Sequence, residues 1–329
     1  MTGETDWEIG AFSLPAPAGA SDVLADSIRV TPVPDVEANR QLIPSSEAEW
    51  VVAVEERDEK NRAIAGVLAD QFALTVEEEH IDGVGTYRVT PPEIDRRHQD
   101  HLFVYVHGGA YVLGAGEAGL PEAMLIAART KMQVLSIDYR MPPQHPFPAA
   151  LDDVIAVWEN VLGTRSVSSV ALGGVSAGGG LILTAVQKLI GGGHQTPQAL
   201  YAGTPWTDLT RTGDSYYTNE GVDRLLVGYD GILAAAARLY AGVHDLTDPL
   251  ISPVYGDFTG FPPTFLVTGT RDLFLSNTVR THTKLRAAGV TADLLVFEGV
   301  SHGDYAAEAT SPESLLTYAE LNSFLLQHL

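Results

Sequence analysis

The sequence predicts an α/β protein: a mostly parallel sheet of eight strands covered by helices on both faces. Three observations carry this expectation. Short, nearly continuous apolar runs recur at Leu102–Val106, Val134–Ile137, Val170–Leu172, Ala199–Gly203 and Thr264–Thr268, as strands buried on both faces require. Stretches of helical length alternate with those runs, the pattern of successive crossover units. Glycine-rich turns follow several of the runs directly, where a parallel sheet of this kind collects its ligand-binding loops.

The elements follow in order. Residues 1 to about 45 are irregular and punctuated by Pro15, Pro17, Pro32, Pro34 and Pro44, with Ser21 placed to cap a short helix over Val23–Ile28. Val51, Val54, Ala63 and Val67 recur at near-helical spacing and predict a helix over Glu47–Phe72. Thr75–Ile81 and Thr86–Val89 read as strands of weak alternation. Beyond them come the strand at 102–106, a helix over Glu117–Thr130, the strand at 134–137 and a proline-rich loop. A helix through Asp153–Leu162, the strand at 170–172, a helix over Ala177–Ile190 and the strand at 199–203 follow. Residues 206–250 break the rhythm with polar and alanine-rich helical text. It resumes with the strand at 264–268, a helix over Asn277–Ala288, a strand at Leu294–Phe297 and a last helix towards Leu329. The expected organisation is an N-terminal helical region, 1–72, and a core, 73–329. The first region and the 206–250 insertion would pack together as a cap over the strand C-termini.

Composition narrows the function. The chain has 329 residues, 45% apolar and 19% charged, ample for a buried core. A net charge of −22 makes nucleic acid and anionic membrane surfaces poor partners. The chain has no cysteine, which removes thiol nucleophiles, disulfides and thiolate metal sites. Met1–Gly10 carries Glu4, Asp6 and Glu8 in place of a basic, then apolar leader, and no stretch reaches the ~18 apolar residues of a membrane span. The expectation is a soluble, cytoplasmic protein without a membrane partner. Among the ten histidines His98-x-x-His101 is the one pair that approaches ligand spacing, and it stands in a charged loop before a strand, a poor setting for zinc. No metal is expected.

The chemistry is concentrated at the strand ends. Gly173-Gly174-Val175-Ser176-Ala177-Gly178-Gly179-Gly180 follows one strand and opens a helix. Its G-x-S-x-G core fits a nucleophile elbow, in which a sharp turn holds the serine at its apex and tolerates no side chains on either flank. As a phosphate loop it would lack the charge-pairing lysine. His107-Gly108-Gly109-Ala110-Tyr111 follows an earlier strand. The backbone of Gly108, Gly109 and Ala110, with the amide of Ala177, forms the candidate oxyanion hole. His107 is expected to orient that loop. Asp272 stands after the strand at 264–268 and His302 after the strand at 294–297. Alone, Asp272 could be a helix cap and His302 a solvated loop residue. Ser176, Asp272 and His302 together stand at three strand ends in the order nucleophile, acid, base.

Several blocks resemble the hormone-sensitive-lipase-like group of bacterial esterases, family IV of the carboxylesterases, in the α/β-hydrolase superfamily. Residues 107–111 look like its oxyanion loop. Asp138-Tyr139-Arg140-Met141-Pro142-Pro143-Gln144-His145-Pro146-Phe147-Pro148-Ala149-Ala150 looks like its most specific block, and Gly174–Gly179 like its elbow. Pro205–Leu209, Asp248–Pro253 and Gly269–Asp272 also match, over roughly residues 100 to 325. Val175, Ala110, Gln144 and Asp304 depart from the pattern. The resemblance implies a cofactor-free hydrolase of short- to medium-chain carboxylic esters that works through an acyl-enzyme. A lactonase or amidase on the same machinery, or a non-catalytic receptor on the same fold, are the alternatives. Tyr111, Trp206, Tyr216 and Tyr217 are candidate pocket-lining residues. The strand at 294–297, expected at a sheet edge, makes a homodimer possible.

Overall fold

This structure, a computed structural model, describes Gly10 and residues 13–329. The acidic start with Glu4, Asp6 and Glu8 lies outside the described residues. Eight strands form one sheet: β1 (Thr75–Ile81), β2 (Val84–Thr90), β3 (Leu102–Val106), β4 (Gln133–Asp138), β5 (Val170–Val175), β6 (Ala199–Gly203), β7 (Thr264–Gly269) and β8 (Ala292–Phe297). Their spatial order is β1-β2-β4-β3-β5-β6-β7-β8. β3 to β8 run parallel, while β1 and β2 are antiparallel additions at one edge. The β1–β2 hairpin closes through Asp82 and Gly83, both with positive φ (50° and 84°), the two-residue turn whose twist suits paired strands. β2 therefore starts two residues earlier than the alternation predicts. The β1 edge alternates poorly because its Glu77–Glu79 run faces water more than core.

The expected strand at 170–172 extends to Val175, because Gly173 and Gly174 continue the ladder to the serine. Side chains alternate along the central strands. Leu102, Val104 and Val106 of β3 enter one core cluster, with α5 (Ala149–Thr164) and α6 (Ala177–Gly191). Phe103 and Tyr105 enter the other, with α4 (Pro121–Thr130) and α10 (Pro312–His328). The helix predicted from residue 117 begins instead at Pro121, which sits at its first position and lacks the donor an earlier turn would need. Gly116–Gly119 is a short 3₁₀ turn.

N-terminal to the sheet come α1 (Asp22–Val30), α2 (Val36–Gln41) and α3 (Glu47–Phe72). Ser21 caps α1 by accepting from Leu24 N at 3.2 Å and also donates to Glu313 Oε2 of α10 at 2.8 Å. The 206–250 segment carries α7 (Ser215–Thr218) and α8 (Ile232–Ala241), and α9 (Leu275–Ala287) follows β7. Asn39 of α2 donates to the carbonyl of Asp230 at 2.9 Å, and Arg40 pairs with Glu220 at 3.0 Å. Trp50 of α3 packs with Val112 and Ala236. Among the described residues, no helix is long and apolar enough to cross a membrane.

Candidate active site

Parallel neighbours deliver their C-terminal ends to one edge, so the loops after β3, β5, β6, β7 and β8 are neighbours there. Ser176 ends β5 and precedes α6. Its φ of 55° and ψ of −121° lie in a region that a residue with a side chain rarely occupies. The amide of Ser176 donates to Gly203 O at 2.9 Å, and its carbonyl accepts from Gly180 N at 3.0 Å and Trp206 N at 2.8 Å. Those bonds hold the turn rigidly against β6. A Cβ on Gly174 would stand 2.6 Å from the Gly178 carbonyl carbon and 2.7 Å from Val106 O, so both motif positions need a bare backbone. Ser176 is 9% exposed. Ala177, the first helical residue, has an amide that precedes the helix's own hydrogen-bond ladder.

The loop after β3 lies directly against the serine. A Cβ on Gly108 would sit 3.1 Å from Ser176 Cβ. Gly109, Ala110 and Tyr111 all have positive φ (111°, 53° and 64°), so three successive residues bend the wrong way for L-amino acids. Ala110, in the place of a third glycine, thus carries real strain. The Gly109 carbonyl accepts from Val112 N and Leu113 N at 2.9 and 2.8 Å, and the turn so formed fixes the amides of Gly109 and Ala110.

Several side chains brace this loop. His107 stacks on Tyr139 (4.2 Å, 12° between planes), meets the Gly108 carbonyl through Nδ1 at 2.7 Å, and has its pKa lowered by burial. Its buried Nε2 has no partner among the described residues. These contacts tie the ring to the Gly108 carbonyl and to Tyr139. Tyr139 donates to the His107 carbonyl at 3.0 Å, Asp138 accepts from Gly116 N at 3.0 Å, and Arg140 forks onto buried Asp153. Asp58, buried on α3, accepts from Gly114 N at 2.9 Å. The sequence reading missed Asp58, which looks like one more acid on a charged helix.

His302 and Asp272 meet on the neighbouring loops. Asp272 Oδ1 lies 3.0 Å from His302 Nδ1 and also accepts from Phe274 N at 2.8 Å, while its Oδ2 accepts from Thr268 Oγ1 at 2.7 Å. The Asp272 side chain is fully buried and that of His302 nearly so. Burial alone would lower the His302 pKa. The charge and hydrogen bond of Asp272, with the charges of Asp223 and Glu122, more than offset this and raise it above the ordinary histidine value. With Nδ1 committed to Asp272, Nε2 is the ring nitrogen that remains available. The ring stands edge-on to Phe274 at 4.8 Å, and Phe274 stacks on Trp206 at 5.2 Å, next to the serine turn.

The aromatic candidates divide. Tyr111 stacks on Tyr240 at 3.8 Å and is 1% exposed, Trp206 is fully buried, and Tyr216 is fully buried with its hydroxyl donated to Asp208 O at 2.9 Å. All three pack into the core cluster on this side of the sheet. Tyr217 is exposed beneath the Arg211 guanidinium, 4.7 Å from the ring centre. Gln144 bonds Glu47 of α3 at 2.7 Å, and Asp304 pairs with Arg224 at 2.7 Å, so both departures from the family pattern have partners. His98 and His101 face each other through Nδ1 at 3.0 Å, and His98 Nε2 meets Asn322.

With this geometry in place, residues 103–306 match the family described as alpha/beta hydrolase fold. An esterase of Acinetobacter venetianus is 30% identical over 232 residues, covering 68% of this chain and 74% of the relative. An acetyl-hydrolase of Streptomyces hygroscopicus is 34% identical over 178 residues, 54% of this chain and 59% of that protein's length. Among solved structures, the esterase E25 superposes with a TM-score of 0.97 at 55% identity, covering 99% of this chain and all of that one. An esterase from the bacterial hormone-sensitive lipase family superposes with a TM-score of 0.77 at 29% identity, covering 94% and 98%. The chain belongs to the α/β hydrolases, within the hormone-sensitive-lipase-like group, family IV of the carboxylesterases. It is a carboxylesterase.

Proposed function

We propose that the chain hydrolyses carboxylic esters of short to medium acyl chain, with Ser176 as nucleophile, His302 as general base and Asp272 as its orienting acid. The observation that carries this is the strained Ser176 turn, φ 55°, against the Gly108 backbone, at the same sheet edge as the Asp272–His302 pair. A serine hydroxyl attacks a carbonyl only when a base removes its proton as the bond forms. His302 Nε2 would take that proton, and the buried Asp272 carboxylate would stabilise the imidazolium. The tetrahedral oxyanion would be met by the amides of Gly109, Ala110 and Ala177, with Gly108 shaping the approach. Each such donor is worth roughly 3 kcal/mol in the transition state. His302 would then protonate the leaving alcohol, and water activated by the same nitrogen would release the acid and restore Ser176.

The preference for a small acyl group is supported by the acetyl-hydrolase among the relatives. We take the N-terminal helices and the 206–250 segment, joined through Asn39–Asp230 and Arg40–Glu220, as a cap over this edge. The open edge of β8 could pair two copies. The test is turnover of p-nitrophenyl esters from acetate to decanoate by the protein and by Ser176→Ala. Serine-dependent turnover that falls with chain length is expected. Turnover unaffected by Ser176→Ala would overturn the assignment.

A further inference from the structure

Asp223, in the loop between α7 and α8, is fully buried and faces no cation at hydrogen-bond distance. Its Oδ1 accepts from its own turn, Leu225 N at 2.9 Å and Leu226 N at 3.0 Å. Its Oδ2 accepts from Leu273 N at 2.8 Å, the residue after Asp272, and from His302 N at 3.3 Å. One carboxylate oxygen therefore ties the acid loop to the histidine loop. The next residue repeats the link. Arg224 N donates to Ser301 Oγ at 3.3 Å, and the Arg224 guanidinium forks onto Asp304 at 2.7 Å while reaching Ser27 Oγ of α1 at 2.8 Å. A free carboxylate costs a great deal to bury, and four amide donors are what makes it tolerable.

We propose that Asp223 is a positioning residue that holds Asp272 and His302 in register from a segment outside the core sheet. The inference rests on the proposed roles of those two residues. Besides the shared oxygen, the two loops are joined by the Asp272–His302 side-chain contact, by Arg271 N to Val300 O at 3.1 Å, by Thr270 N to Phe297 O at 2.9 Å and by Gly299 N to Thr270 Oγ1 at 2.8 Å. The charges that face His302 are Asp272 on its own sheet edge, Asp223 from the α7–α8 loop and Glu122 from α4. Arg224 and Asp304 neutralise each other beside it. Asp223 in turn is faced by Asp272 and His302, and burial and the Asp272 charge raise its pKa.

The test is Asp223→Ala, which removes the oxygen shared by Leu273 N and His302 N, whereas the amide oxygen of an asparagine could keep both bonds. Displacement of His302 by a fraction of an ångström to an ångström predicts a loss of about 10- to 100-fold in kcat. KM should stay within about threefold, because no group that touches substrate changes. Loss of a nearby negative charge should also move the acid limb of kcat/KM to lower pH. A folded Asp223→Ala with unchanged kcat and an unmoved acid limb would overturn the assignment, even where Ser176→Ala is inert and the nucleophile reading therefore stands. A wild-type protein without serine-dependent turnover would defeat the nucleophile reading and this one together. Should the variant not fold, amide exchange in the wild-type protein decides. Slow exchange at Leu273 and His302 is expected, and exchange as fast as in exposed loops refutes the tie.

Discussion

Gly174→Ala tests whether the serine turn works by close approach of bare backbone. The new methyl would stand 2.6 Å from the Gly178 carbonyl carbon and 2.7 Å from both Gly178 O and Val106 O, where ordinary contact begins at 3.4 Å. All three neighbours are main chain, so no side chain can swing aside. The first turn of α6 and the end of β3 must therefore part by roughly 0.7 Å. Val106 leads directly into the loop bearing Gly108 to Ala110, so the serine and the proposed oxyanion donors move relative to one another. A misplacement near 1 Å costs on the order of 100-fold in rate. Overpacking a buried site costs ~1–3 kcal/mol of stability. Thermal unfolding and p-nitrophenyl acetate kinetics on the same preparation measure both. The expected result is a Tm lower by several degrees and kcat lower by tens to hundreds of fold. A variant with kcat/KM within threefold of wild type and an unchanged Tm would refute the steric reasoning.

Gly66→Ala should act in the opposite direction: Gly66 is exposed inside α3 with nothing within 4 Å of a new methyl, so differential scanning calorimetry should read a gain of about 0.5–1 kcal/mol. The pH profile of kcat/KM should have its acid limb above 6.5, because the base must be neutral and Asp272 raises the pKa of His302; a limb at or below 6.5 contradicts that environment. Asp272→Asn should lower kcat by about 10⁴-fold with little change in fold, since the amide favours the wrong imidazole tautomer; a loss under tenfold would remove Asp272 from its role. Glu122 accepts from Tyr105 at 3.1 Å, Tyr201 at 2.8 Å and Tyr305 at 3.2 Å, and burial raises its pKa above 4.5. The folded protein therefore keeps this proton when the unfolded chain has released it. Its contribution to stability is lost as pH rises from about 4.5 through the raised value. Chemical denaturation across pH should show Glu122→Gln flattening that decline relative to wild type, and an unchanged slope would refute it.

The strand runs at 102–106, 199–203 and 264–268 were legible because a strand buried on both faces must be apolar almost throughout. The Ser176 turn and the glycine loop after β3 were legible because strained turns and close backbone approach demand glycine at specific offsets. Ser176, Asp272 and His302 were readable as residues in the loops after β5, β7 and β8. The hairpin edge read poorly, since Glu77–Glu79 of β1 face solvent and blur the alternation. Asp58 and Asp223 were illegible for another reason. Each acts on backbone amides remote in sequence, Gly114 N for Asp58 and Leu273 and His302 N for Asp223, and an amide has no sequence signature.

The sequence by itself determined the sheet, the strained serine turn and the order of Ser176, Asp272 and His302 along it, because these depend on local backbone sterics and continuous burial. Only the tertiary structure decided what surrounds them. It buried Tyr111, Trp206 and Tyr216, and it set an acid of the weakly patterned 206–250 segment between two loops. Whether an aromatic or a carboxylate meets solvent, substrate or another loop depends on contacts between distant segments, and periodicity along one segment carries no record of them.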